Sequence, residues 1–201
     1  MVDQSPHHVT HPDTITRIAE RTRELSADHP RLVLLIDGGS GAGKTSLATE
    51  LVAHLRATSP DTQLVSLDSC YPGWQGLAEG AAMVPDMLRA VNPGHPTWDW
   101  AAHRPDGWVG LDPVADIVIE GCGALTPENR ALATAGLWME LDPITRRERA
   151  LDRDGEGYRP WWDLWAAQEL VHWQRHHPWR LADMQLNVAP HVTPAVPYLR
   201  W

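Results

Sequence analysis

The chain has 201 residues, enough for one well-buried domain and short for two. Its formal charge of −9 excludes a general attraction for nucleic acid or for an anionic membrane face, so any phosphate site has to be local. No apolar run approaches the roughly 18 residues that span a bilayer, MVDQSPHH lacks a signal pattern, and Cys70 and Cys122 match no zinc spacing, so the expected setting is a reducing cytoplasm.

Residues 1–12 are polar, contain His and Pro, and read as a flexible segment; residues 13–201 read as a single domain. His7, His8 and His11 read as surface residues of that segment. From Asp13 to about Ser26, the residues Ile15, Ile18, Ala19 and Leu25 mark one helical face. Arg31 to Asp37 (RLVLLID) has the continuous apolar character of a parallel strand buried on both faces. A glycine loop follows at once. Leu47, Leu51 and Leu55 then mark a helix from Thr45 to about Thr58.

A second strand is read at Gln63–Asp68. The stretch from Ser69 to Pro113 is rich in Gly, Pro and Trp, with one helix near Glu79–Val91, and is too long for a plain connection. Strands three and four are read at Ala115–Glu120 and Gly136–Leu141. Asp142-Pro143 has the form of an N-cap with proline in the first helical position. The helix it opens carries Arg146, Arg147, Arg149 and Arg153 and stops near Gly155. A Trp-rich helix spans about Arg159–His176, a fifth strand Ala182–Val188, and a proline-rich tail follows Pro190. Strands alternating with helices imply an α/β sandwich around a parallel sheet.

The segment Gly38-Gly39-Ser40-Gly41-Ala42-Gly43-Lys44-Thr45 satisfies GxxxxGK[ST], with a strand before it and a helix after it. Such a loop curls backbone N–H groups around phosphate oxygens, and the helix start adds partial positive charge. Lys44 is the only lysine of the chain, standing where this motif requires one. The expected ligand is ATP, held by Gly39, Ser40, Gly41, Ala42, Gly43, Lys44, Thr45 and Ser46, with the Thr45 hydroxyl on Mg²⁺. Asp68 and Glu120 end the second and third strands, on the sheet edge where α/β proteins bind ligands. Two carboxylates there suit a Mg²⁺ ligand and a general base; each alone could also be a strand-end cap. An NKxD element is ruled out by the single lysine, which argues against guanine selection of the usual kind.

Together, IDGGSGAGKTS, SLDSCY, WDW, IVIEGCG and the Arg-rich helix resemble the uridine-kinase-like P-loop kinases, including a subgroup of ATP-binding proteins. The resemblance runs from about Leu32 to Val188. It implies a five-stranded parallel sheet in the order 2-3-1-4-5 with helices on both faces. It also implies that Asp68 is the base toward an acceptor hydroxyl, that Glu120 assists Mg²⁺, and that Tyr71 lines the acceptor pocket. The Arg-rich segment near 146–158 corresponds to the lid, in which Arg149 and Arg153, four apart and on one face, are chosen as catalytic. The chain departs from the pattern at Asp68-Ser69-Cys70-Tyr71 and at His95-Pro96-Thr97-Trp98-Asp99-Trp100.

Trp98 and Asp99, with Tyr71, Trp74, His95 and Trp100, form an aromatic and polar group that either binds the acceptor or packs the insertion. Trp161, Trp162, Trp165 and Trp173 read as core. The expected activity is ATP-dependent phosphorylation of a hydroxyl on a small molecule such as a nucleoside. The alternative is a regulatory ATP-binding protein or an ATPase without an acceptor. The sequence is compatible with a homodimer.

Overall fold

The computed structural model describes residues 12–188 and 198–200. The calls for a flexible segment and for surface histidines at residues 1–11 lie outside those residues. So does most of the proline-rich tail.

The central strand β1 (Val33–Gly38) is buried along its whole length. It lies between β5 (Ile117–Glu120) and β6 (Ala135–Glu140), both parallel to it. With β2 (Gln63–Ser66) beyond β5 and β7 (Met184–Asn187) beyond β6, the five parallel strands run β2-β5-β1-β6-β7. A sixth strand, β8 (Tyr198–Arg200), pairs antiparallel with β7, so the sheet is mixed and six-stranded rather than five-stranded.

Side chains of β1 alternate between two cores, as the pleat of a strand requires. Leu34 and Ile36 join one with Ile18 of α1 (Pro12–Ser26) and Leu47, Leu51 and Leu55 of α2 (Lys44–Leu55). Val33 and Leu35 join the other with Val84 and Met87 of α3 (Leu77–Leu88), Ala150 and Leu151 of α5 (Pro143–Tyr158), and Trp162 and Trp165 of α6 (Trp162–His176). Between these helices, Asn129 of the short α4 (Pro127–Arg130) donates to the carbonyls of Ala81 and Ala124. The short α7 (Pro178–Leu181) leads into β7. Truncating a fully buried leucine such as Leu51 should cost about 2–5 kcal/mol.

Part of the Gly/Pro/Trp-rich stretch is an antiparallel hairpin that the sequence did not suggest. Its strands are β3 (Gly94–Asp99) and β4 (Arg104–Gly110), with a register shift between Thr97 and Trp98. Helix α5 is capped as expected: the Asp142 carboxylate accepts the Thr145 amide at 2.9 Å. Its regular path ends at Gly155, where φ is 60°, a value favouring glycine.

Candidate functional site

The loop after β1 is shaped by what packs on it. Gly41 has φ 80°, and a β-carbon there would lie 2.1 Å from the Arg146 carbonyl oxygen, so only glycine admits the α5 backbone this closely. Gly43, with φ 95°, precedes α2 and gives it no side-chain cap, leaving the first N–H groups of the helix free for an anion. Lys44 is buried, its Nζ donating to the Gly39 carbonyl at 3.2 Å and to Cys122 Sγ at 3.4 Å. Burial alone would lower its pKa, but the surrounding Cys122, Glu120, Asp68 and Glu169 hold it raised, so Lys44 is charged.

Opposite the start of α2, the Thr45 hydroxyl donates to Glu120 Oε1 at 2.9 Å. Glu120 is buried at the end of β5. Burial raises its pKa, Lys44 opposes the rise, and Asp68 adds to it. Asp68 lies in a single 3-10 turn after β2 and is exposed. The hydroxyl and the nearby carboxylates are hard oxygen donors, and carboxylates crowded together favour a cation between them. The set therefore fits Mg²⁺ completed by phosphate oxygens and water.

Asp37, which sequence reasoning took only as a strand end, anchors the loop from below. Its carboxylate accepts the amides of Gly38 (2.6 Å), Gly123 (3.2 Å) and Leu125 (2.9 Å) and lies 3.1 Å from His172 Nε2. Tyr71 is buried, its hydroxyl donating to the Cys122 carbonyl at 2.7 Å.

A roof that the sequence did not reveal covers the loop. Glu169 of α6 accepts the Ser40 amide at 2.7 Å and the Cys122 thiol at 3.2 Å. Its other oxygen lies 3.2 Å from Arg146 Nη1, which also donates to the Ser40 carbonyl at 3.2 Å. Arg146 lies 5.1 Å above the centre of the Trp173 ring. A signal for the roof did exist. Trp162, Trp165, Glu169 and His172 recur at spacings that put them on one buried face of α6, and an acid and a histidine on such a face need partners.

Two cavities flank the loop. One, of about 460 Å³, lies over the ends of β6 and β7 and is lined by Gly39, Trp138, Arg146, Trp173 and Trp179. The other, of about 750 Å³, is lined by Thr45, Asp68 and Tyr71 and by the aromatic side chains of Trp74, Trp100 and Trp161. Arg153 also lines it, paired with Asp154 at 2.6 Å. Arg149 is half-buried and lines neither cavity. Ser46 is exposed on the first turn of α2.

Trp98 and Asp99 are not walls of the larger cavity. The Asp99 carboxylate accepts the Ala101 and Ala102 amides, both at 2.9 Å, in the hairpin turn, and the Trp98 ring rests against Gly73. Conversely, Trp161 and Trp173, taken as core, each face a cavity, while Trp162 and Trp165 are buried, Trp165 also lining the larger cavity.

No family model and no curated protein matches the sequence. Solved structures do match the fold. A possible uridine kinase from Bacillus stearothermophilus aligns over 86% of this chain and 97% of its own, with TM-score 0.62 and 20% identity. A candidate fructose transport system kinase from Silicibacter sp. TM1040 aligns over 80% of this chain and 88% of its own, with TM-score 0.57 and 15% identity. The chain therefore shares its fold with these two structures. No helix among the described residues is long and apolar enough to cross a membrane.

Proposed function

We propose that this protein transfers the γ-phosphoryl group of ATP to a hydroxyl of a small molecule. The observation that carries the reading is the loop with Lys44 held against it, Thr45 bonded to Glu120, and Asp68 lining the larger of the two flanking cavities. Asp68 marks where transfer occurs, since Glu140 of the smaller cavity is tied to the Trp138 ring nitrogen. The γ-phosphate then points toward the larger cavity and the nucleoside lies toward the smaller one, among Trp138, Trp173 and Trp179. Lys44, the loop amides and Ser46 hold the phosphates. Thr45 and Glu120, with Asp68 beside them, hold Mg²⁺, which when bound neutralises phosphate charge. Asp68 orients the acceptor hydroxyl and takes its proton, while Arg153 faces the charge spreading over the transferring group.

A second reading has one observation in its favour. The Ser40 amide is already taken by Glu169, as suits an ATP-binding regulator or an ATPase gated by its own chain. Release of ADP and of free phosphate, each measured with and without a panel of hydroxyl acceptors, separates the readings. ADP that appears only with an acceptor, without matching free phosphate, is expected. Equal release of both products without any acceptor would establish the ATPase. Absence of ADP under every condition would remove the transfer reading.

A further inference from the structure

Trp74 stands at the centre of an aromatic wall of the larger cavity. The rings of Tyr158 and Trp161 lie nearly parallel to it, at 5.4 and 5.6 Å between centres, and Trp100 is tilted against it at 4.6 Å. These rings come from separate parts of the chain: Trp74 from the loop before α3, Trp100 from the end of the hairpin's first strand, Tyr158 and Trp161 from the end of the lid. These rings pack directly on one another, so together they form a continuous aromatic wall that favours a flat apolar partner lying against it.

Trp100 and Arg153 are already engaged, and His103 lines the cavity from the exposed hairpin turn. Trp100 Nε1 donates to the Asp68 carbonyl at 2.8 Å, and Arg153 is bidentate to Asp154. Gln168, behind the wall, bonds the Trp74 carbonyl and the Leu77 amide. Neither Asn nor Gln lines the cavity. Trp74 Nε1 is a buried donor without a partner, and one donor reads one acceptor atom. A site that selects a nucleobase needs several side chains placed on its hydrogen-bonding edge, and a site that selects a sugar needs them around the ring. Here the lining hydroxyls are held by the loop and its neighbours, Ser40 by Cys122 and Thr45 and Ser66 by Glu120, which leaves the Asp68 carboxylate to meet an acceptor hydroxyl.

We infer that the acceptor is a hydroxyl compound with a flat apolar ring body, rather than a nucleoside or a sugar. The inference rests on the phosphoryl-transfer reading, because it takes the larger cavity to be the acceptor site. The hydroxyl reaches Asp68 and the ring body lies against Trp74, Trp100 and Trp161. Transfer is balanced: the acceptor oxygen bonds the γ-phosphorus, the bond to the β-phosphate oxygen breaks, ADP leaves, and Asp68 takes the hydroxyl proton.

The test uses the whole protein loaded with Mg-ADP. Binding of naphthylmethanol, benzyl alcohol, uridine and fructose is measured by calorimetry, and turnover of the same compounds with Mg-ATP is followed by ADP formation. Naphthylmethanol should bind at least ~10-fold tighter than uridine or fructose, with benzyl alcohol between, the range set by small changes of apolar contact. Trp74→Ala should remove that preference. Should Trp74→Ala fail to fold, Trp161→Ala, at a partly exposed ring (38%), should reduce the preference instead. Equal or tighter binding of uridine or fructose, no binding of any of the four, or a preference unchanged in both variants would overturn the inference. ADP formation with uridine alone overturns the inference and supports the transfer reading. Tight naphthylmethanol binding without ADP formation supports the ring-body pocket and counts against transfer.

Discussion

The Glu169 carboxylate lies 2.7 Å from the Ser40 backbone nitrogen, so this chain holds an anion of its own against the phosphate loop. A bound nucleotide would compete for that amide and would offer Arg146 a new partner. Removing one member of a buried ion pair costs about 3–5 kcal/mol. For a domain of this size ~3 kcal/mol corresponds to roughly 10 °C in melting temperature. Glu169→Gln should therefore melt several degrees lower without nucleotide. It should also bind ATP more tightly and gain more from it, because the phosphates restore a partner to Arg146. Thermal melts of both proteins with and without Mg-ATP check this. An ATP-induced shift no larger in the variant would show that Glu169 is not competing with phosphate.

Asp68 is exposed and Glu120 is buried, so the proposed transfer assigns the two acids different tasks. Asp68→Asn should lower turnover by ~10²–10⁴ while leaving ATP affinity nearly unchanged. Steady-state kinetics and an independent ATP titration are needed together. Loss of ATP binding as large as the loss of turnover would make Asp68 a metal ligand and not a base.

Glu120 titrates above its ordinary 4.5, because burial and then Asp68 outweigh the opposing pull of Lys44. The form that ligates Mg²⁺ is the carboxylate. As pH falls through this raised pKa, protonation competes with the metal, and the Mg²⁺ needed for half-maximal ATP binding should climb at a pH above 4.5. In Glu120→Gln the requirement should be higher throughout and should lose that part of its pH dependence. Mg²⁺ titrations from neutral pH downward decide the point. An identical pH profile in the two proteins would take Glu120 out of the metal site.

What could be read from the sequence was local. RLVLLID, the glycines and Lys44 form one contiguous run; Glu120 ends its apolar strand as read, whereas Asp68, read as a strand end, stands two residues beyond β2 in a 3-10 turn. The hairpin was hidden because β4 is exposed along its whole length and so shows no apolar alternation, while Pro96 sits inside β3. Strand β8 follows a proline-rich stretch, and only pairing with β7 makes it a strand. The roof was hidden by distance: Glu169 is 129 residues from Ser40, and nothing short-range links them. The aromatic wall was only half visible, since Trp161 looks like any other tryptophan of a buried helix until Trp74 is placed against it.

The lid arginines separate into different tasks by where α5 carries them. Arg146 is buried against the phosphate loop and Glu169, so Arg146→Ala should leave that carboxylate unpaired, lower the melting temperature and weaken ATP binding together. Arg153 is exposed, lines the larger cavity and is held charged by Asp154 and, more weakly, by Asp68. Its ion pair contributes little to stability because water screens it. Arg153→Ala should therefore leave the melting temperature within about 1–2 °C while cutting turnover by up to ~10³–10⁵. Arg149 has neither the contacts of Arg146 nor the cavity position of Arg153. If the lid swings down on bound ATP, pivoting at Gly155, Arg149→Ala should also lose turnover; if α5 keeps its present position, that variant should stay near normal. Melting temperature, ATP affinity and turnover measured on all three variants resolve these tasks. Normal turnover in both Arg149→Ala and Arg153→Ala would remove the outer lid arginines from the transfer step.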